Sequence, residues 1–418
     1  EQILKDLPYQ NITLGIFGSS MNNFGSPKSD LDMCLQIPAD VVDEVDQQQI
    51  IEQLADILPK YGMKEIDTVR ITARIPIIQF VDGKTGIECD VCVNNSLALR
   101  NTRLLRSYSY ADPRVRQVAY IIKKWSKSRK INDPSKSTLS SYGYILTLLQ
   151  SLQLGGWVPS NVSKLSTHKP LLPFIQQHDD MWDGISEKYS NPEFLPQIMV
   201  PTLSGDTVDS YFFDATRDER KKFALQKFAS QCICPVGKLL LEYFWYYGFV
   251  FQWRREIVSV RKAGLVLKHE KARDFGWKRN GHLSISDPFE IGYNVAHVLR
   301  PNTNKRLRDE FVRAYCILAG IGDEKVDPNV AIEKLFEDYI EPVVEEDEAE
   351  EENISENADN KKVVTSKAEV LVVVEEGDTL VKARNKGKNK QKKKTFANNK
   401  KSRASKKNKG KGRGRSKE

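Results

Sequence analysis

A glycine-serine turn, an Asp-Leu-Asp triplet and a later third aspartate constrain this chain more than any other feature. The turn is Phe17-Gly18-Ser19-Ser20, the triplet is Asp30-Leu31-Asp32, and the third acid is Asp90. Ile12 to Phe17 (ITLGIF) is apolar with a β-branched start, which predicts a strand, and Gly18 removes the side chain where the backbone must bend. Ser19, Ser20, Asn22 and Asn23 can offer hydroxyl, amide and backbone donors to phosphate oxygens, and a helix starting there would add its free N–H groups. The loop is not of the Walker type, because the glycine-rich run ending in Lys-Ser/Thr is missing.

The strand period of two sets Asp30 and Asp32 on one face and Leu31 and Met33 on the other. Two carboxylates then stand about 6–7 Å apart along the backbone. Unpaired, each raises the pKa of the other, a cost that a bound divalent cation reverses. Asp90 lies in Gly86–Val93 (GIECDVCV), an alternating stretch that predicts another strand of the same sheet, with Glu88, Asp90 and Cys92 on one face. A helix-length segment, Asp46 to Tyr61, separates the pair from the third acid. The ordered set predicts a site for Mg2+, with Mn2+ as a substitute: one ion on Asp30, Asp32 and Asp90 to activate a hydroxyl, a second on Asp30 and Asp32 to grip a triphosphate.

Phe17-Gly18-Ser19 followed by Asp30-Leu31-Asp32-Met33 resembles the signature of the noncanonical poly(A) polymerase and terminal uridylyltransferase family. That family lies within the DNA polymerase β-like nucleotidyltransferase superfamily and carries a PAP-associated domain. The resemblance continues through Asn101–Leu105 (NTRLL), Leu139–Tyr144 (LSSYGY) and Asp287–Glu290 (DPFE), and Phe251–Arg261 is similar to the PAP-associated segment, so it covers roughly residues 1–325. It implies an α+β chain: a mixed-sheet catalytic domain, a mainly helical second domain and a cleft between them. It implies transfer of nucleoside monophosphate to an RNA 3′ end without a template, with UMP from UTP favoured. The alternatives are AMP from ATP and a scaffold that binds RNA but has lost turnover.

Residue roles carried over from the resemblance follow the same motifs. Gly18 and Ser19 place the phosphates, Lys123, Lys127 and Ser141 steady the triphosphate, and Tyr142 stacks under the base. Asn101 and Thr102 reach base or ribose, and Asp287 and Glu290 sit near the base. The one departure is Tyr293, where uridylyltransferases commonly have histidine; a phenol can still donate to a uracil carbonyl but cannot become a cation. On residue type alone, Lys123 and Lys127 with Lys124, Arg129 and Lys130 form a solvated basic helix face, Ser140 is a helix N-cap and Asn95 a loop cap. His297 is either a nucleotide- or RNA-ordering base or a packed helix residue, and Trp245, Tyr246 and Tyr247 belong to a core.

The expected organisation is a catalytic domain over residues 1–98, a helical and PAP-associated domain over 99–330, an acidic and mixed linker over 341–385 and a disordered basic tail over 386–418. Strands are expected at Ile12–Phe17, Leu31–Gln36, Arg70–Ile71 or Ile75–Phe80, and Ile87–Val93, with a hairpin turn at Asp82–Gly86. Helices are expected at Pro113–Ser128, Ser140–Leu152, Lys221–Phe249 and Leu307–Ile317. Val370–Val374 is a stray strand or interaction element, the insertion 157–211 is connecting structure, and Glu1–Lys5 reads as the end of a helix already under way in a longer product.

Charge divides unevenly. Residues 386–418 hold sixteen Lys or Arg and one acid, so they carry +15 of a chain whose net charge is +8, and residues 1–385 carry −7. The tail is therefore an expected RNA-phosphate contact, salt-sensitive through counterion release, and would equally serve nuclear import. The compartment is expected to be cytoplasm, nucleus or both, and the cysteines read as reduced thiols, Cys89-Asp90-Val91-Cys92 being a strand without a zinc-spaced partner pair. No run is long and apolar enough for a membrane span. No RRM-like strands or zinc fingers are visible, so RNA is selected by the cleft, the tail or a protein partner the sequence does not name.

Overall fold

In the computed structural model of the chain, the described residues are 2–26, 29–38, 46–155, 168–176, 198–202, 206–262, 264–278, 280–320 and 327–341, with 374–375 and 378–379. They divide into a unit of Glu1–Glu345 and a second of Glu346–Glu418. In the second, a two-residue strand at Val374–Glu375 pairs with Asp378–Thr379; of the stretch Val370–Val374 only Val374 falls within the described residues. The acidic run, the basic tail and much of the 157–211 insertion lie outside the described residues.

Five strands form the sheet: β1 (Thr13–Phe17), β2 (Leu31–Gln36), β3 (Met63–Asp67), β4 (Ile77–Asp82) and β5 (Glu88–Val93). Their order is β1-β2-β5-β4-β3, with β2 and β5 parallel and the other neighbours antiparallel, so the sheet is mixed. Helix α1 (Gln47–Ile57) is capped by Asp46, whose carboxylate accepts the Gln48 N–H. It lays Ile50, Ile51 and Leu54 on Met33, Leu35, Ile78 and Val91. Because strand side chains alternate, burying Met33, Leu35, Cys89 and Val91 on that face turns Asp32 and Asp90 to the other.

Three strand expectations change. Of the two alternatives, Arg70–Ile71 lies in a turn and the second, Ile75–Phe80, is the strand, displaced to Ile77–Asp82. Asp30 lies just before β2 rather than on it. Met63–Asp67 was not anticipated: it is an edge strand of mostly exposed, polar residues with a register shift, so neither alternation nor apolar run marks it. The Asp82–Gly86 turn does join β4 to β5 as expected.

Helices build the rest of the unit: α2 (Ser96–Ala111), α3 (Pro113–Ser128), α4 (Ser141–Leu154), α5 (Glu219–Ala229), α6 (Val236–Trp245), α7 (Lys268–Phe275), α8 (Pro301–Leu318) and α9 (Pro328–Leu335). The boundary proposed at residue 98 falls in the first turn of α2, which leaves the sheet directly. The continuous helix expected over Lys221–Phe249 is broken. It stops at Ala229, restarts at Val236 and ends in a π-helical turn, Tyr246–Val250. Pro235, which has no N–H and disfavours helix at Cys234 before it, keeps the two helices from joining.

Trp125 on α3 centres the helical core, its ring 4.9 Å from Phe244 and 5.4 Å from Phe311. Tyr246 and Tyr247 are buried in the same cluster, as expected, whereas Trp245 is half-buried and outside it. Arg129 at the end of α3 makes a buried two-point pair with Glu310 on α8, both contacts at 2.9 Å. Among the described residues no helix is long and apolar enough to cross a membrane.

Candidate active site

Phe17 ends β1 directly opposite Asp32 on β2, so the Gly18 turn opens beside that carboxylate. Gly18 has φ +75°, and a Cβ built on it would overlap the Asp32 carboxylate oxygen. Only glycine suits both conditions. No helix begins at this turn: the N–H groups of Met21 and Asn22 both close on the Gly18 carbonyl, at 3.2 and 3.1 Å, and regular structure goes no further. The Gly18 N–H donates to Thr102 Oγ1 at 2.9 Å, and that hydroxyl donates to the Ala98 carbonyl at 2.8 Å. Thr102 thereby ties the turn to α2, and its hydroxyl is spent there.

Asp32 and Asp90 are register partners on adjacent parallel strands. Asp32 is pushed up to about 6, first by burial and then by the charges of Asp90 and Asp30, with the Ser19 backbone N–H opposing. Burial also raises Asp90, Asp30 adds to it, and the Gln79 amide and Arg70 oppose. Gln79 on β4 donates to both Asp90 oxygens, at 2.9 and 3.0 Å. Asp32 and Asp90, whose charged forms burial and the neighbouring Asp30 disfavour, make with it a donor set suited to a hard divalent cation. Their oxygens are not drawn to a common point: among the described residues the one acid, histidine or cysteine trio with ligand atoms within 4.8 Å lies elsewhere. Like charges are expected to stand apart until a cation gathers them.

A cavity of about 400 Å³ adjoins this face, within the usual ~300–1,000 Å³ of small-molecule sites. The sheet side contributes Gly18, Ser19 and Asp32, and the helical side Asn101, Thr102, Lys123, Ser141 and Tyr142. Asp287, Glu290 and Tyr293 line it as well. Asp30, Asp90 and Lys127 are not among the lining residues; Lys127 is exposed one helical turn beyond Lys123. Lys123 is held below its ordinary pKa, chiefly by burial and then by Lys127, and donates to the Phe24 carbonyl at 2.6 Å. Ser140 caps α4 by accepting the Gly143 N–H, and Ser141 bonds Asn132 at 3.1 Å.

Tyr142 presents its hydroxyl to Asn101 Oδ1 and Asp287 Oδ2, each at 3.0 Å. One phenolic proton serves one acceptor at a time, so the trio is complete when Asn101 turns its NH2 toward the phenol. Asp287 is buried and held above the usual carboxylate range by that burial, while its Oδ1 accepts the N–H groups of Phe289 and Glu290 at 2.9 and 3.0 Å. The Asp-Pro-Phe-Glu motif is thus a side-chain-closed turn that aims Glu290 and Tyr293 into the cavity. Asn95 caps α2 by accepting the Ala98 N–H and also lines the cavity. His297 is exposed, its ring 5.3 Å from that of Tyr293.

Sequence reasoning missed Arg74 and Gln79. Arg74, in the turns between β3 and β4, pairs with Glu290 at 2.6 Å and lies over the Tyr293 ring at 4.4 Å. A lone arginine in a loop carries no local signal for partners more than two hundred residues away. Gln79 is readable only once β4 is registered against β5.

Residues 1–110 match the family model "Poly(A) RNA polymerase, mitochondrial-like, central palm domain", and residues 235–292 match "Cid1 family poly A polymerase". Poly(A) RNA polymerase GLD2-B of Xenopus laevis is 30% identical over 73% of this chain, and terminal uridylyltransferase 7 of Homo sapiens is 33% identical over 72%. The matched stretch is 52% of the first relative and 18% of the second, so the chain spans about half, or much less, of their lengths. A MgGTP-bound crystal structure of the Cid1 poly(U) polymerase superposes with a TM-score of 0.61 at 28% identity, covering 81% of this chain and 89% of that one. A cytoplasmic RNA terminal U-transferase superposes at 0.60 with 27% identity, over 81% of this chain and 89% of its own. By sheet topology, ordered motifs and both family models, the chain belongs to the Cid1-like, PAP-associated nucleotidyltransferase superfamily.

Proposed function

We propose that the chain is a template-independent RNA 3′-terminal nucleotidyltransferase that adds UMP from UTP, with AMP from ATP as the competing donor. The observation that carries this reading is the convergence on one cavity of Asp32, the Gly18-Ser19 turn, Lys123, Ser141 and Tyr142. Asp30, Asp32 and Asp90 would hold Mg2+, which when bound makes the RNA 3′ hydroxyl a better nucleophile and neutralises the departing pyrophosphate. Lys123 and Ser141 steady the triphosphate, with Lys127 adding charge from the rim. The Ser19 hydroxyl serves phosphate, the Gly18 and Ser19 N–H groups being held by Thr102 and Asp32, and Tyr142 supports the base, held in orientation by Asn101 and Asp287. The basic tail adds a salt-sensitive hold on RNA, and free thiols suit a reducing compartment, cytoplasm or nucleus.

Donor choice rests on Tyr293. Its phenol can donate to a uracil carbonyl and crowds a purine, while Arg74 over its ring and on Glu290 fixes both side chains. The named relatives include poly(A) polymerases as well as uridylyltransferases, which keeps ATP as the second reading. Incubating the purified protein with each NTP and a short unstructured RNA tests the proposal. A ladder with UTP supports it, a ladder only with ATP moves the assignment to poly(A) synthesis, and RNA binding without extension leaves the scaffold. Tyr293→His is expected to raise the UTP-to-ATP ratio of kcat/KM by about 2–10-fold, the value of one hydrogen bond. An unchanged ratio would remove Tyr293 from the base contact.

A further inference from the structure

We propose that His168, Cys232 and Cys234 form a zinc site, away from the carboxylate cleft, that staples the 168–176 segment to the connection between α5 and α6. Among the described residues, these three side chains are the trio whose ligand atoms all lie within 4.8 Å of one another. Cys232 and Cys234 are 2% and 3% exposed, and Ile233 between them is 90% exposed. Both thiols therefore turn inward while the apolar side chain between them is held in water.

Ligand geometry agrees. Zinc bonds of about 2.3 Å to sulfur and 2.0–2.1 Å to nitrogen at a tetrahedral angle set sulfur and nitrogen about 3.5 Å apart. Cys232 Sγ lies 3.6 Å from His168 Nδ1. The other ring nitrogen, Nε2, meets Glu242 Oε2 at 2.6 Å, the carboxylate partner that metal-bound histidines ordinarily have, which fixes the ring and leaves Nδ1 to the metal. Nδ1 also lies 2.8 Å from the Lys169 carbonyl, a contact it gives up on binding. Arg114, itself gripped by Asp112, donates Nη1 to the carbonyls of Cys232 and Cys234 at 2.8 and 2.6 Å, so the cysteine loop is set before any metal arrives. Binding releases to solvent the two thiol protons and the proton by which Nδ1 donates to the Lys169 carbonyl, and water fills the fourth position.

The staple has a reach toward the cleft. Gln176, at the far end of the stapled segment, donates to the Pro288 carbonyl at 3.0 Å, next to Asp287. The test uses the full chain with zinc alone and, separately, cobalt alone. The expected result is one zinc per chain surviving dialysis and, with cobalt, a thiolate-to-metal charge-transfer band, which cobalt held by carboxylates does not give. Cys232→Ser with Cys234→Ser should lose that band and one equivalent of zinc, whereas Cys316→Ser and Asp32→Asn keep both. A wild-type protein without the band or the retained zinc overturns the proposal, as does a band that persists in the double variant. Since none of these measurements reads RNA extension, failure here is separate from failure of the transferase reading.

Discussion

Asp32→Asn is expected to cut nucleotidyl transfer at least ~10³-fold and, in EDTA at neutral pH, to make the protein more stable than the wild type. The first effect follows from removing a ligand whose metal is worth several kcal/mol to the transition state, at about 1.36 kcal/mol per tenfold. The second follows from the sign of the pKa shift. Asp32 titrates near 6 in the fold, well above an unfolded aspartate near 3.8. Below the unfolded value both states are protonated and nothing is lost. Between the two values the folded chain holds a proton that the unfolded chain has released, so stability falls as pH rises, and above about 6 the full penalty stands. Solvent screening reduces it to about 1–2 kcal/mol. Tm measured in EDTA from pH 4 to 8 should therefore rise less, or fall more, for the wild type than for Asp32→Asn, while added Mg2+ stabilises only the wild type. Transfer within tenfold of wild type, or a variant less stable at pH 7.5, would contradict this account of the trio. Asp90→Asn should lose activity similarly without the stability gain, because an amide there cannot accept both bonds that Gln79 now donates.

The parts of the fold legible in the sequence are those in which one local signal decides the outcome. Leu31–Gln36 has the bounds expected of it, and Pro113–Ser128 starts where a proline at the first helical turn places it. Ser140 and Asp46 cap their helices because short oxygen-bearing side chains can reach orphan N–H groups. The misses are cases in which a distant partner decides. β3 survives as an edge strand through pairing with β4, and α2, with Arg100, Arg103 and Arg106 along it, lacks a clean apolar stripe. At the site, the resemblance named the cavity residues, yet it could not tell that the Thr102 hydroxyl is used by Gly18 or that Arg74 holds Glu290 and Tyr293. Those facts depend on which strand lies next to which. The histidine-cysteine trio is the same kind of case, since His168 and Cys232 meet only through tertiary packing, and the cysteine spacing is tighter than that of common zinc motifs.

Gly18→Ala should reduce transfer by about 10² or more while costing no more stability than a strained alanine elsewhere. Two effects act at this position and can be separated. The positive φ penalises any side chain by about 1–2 kcal/mol. The added methyl also overlaps the Asp32 carboxylate, so either Asp32 leaves its position or the turn opens, and a misplacement of about 1 Å at a reacting centre costs ~10²-fold. Gly86 supplies the control: its φ is +72°, and a Cβ there meets nothing within 4 Å. Gly86→Ala therefore bears the backbone strain alone. Comparable falls in Tm for the two variants, with kcat lost only in Gly18→Ala, would show that glycine is required at the turn because of the acid beside it. Equal activity in both would mean that Asp32 can move without consequence, which the metal-holding role forbids.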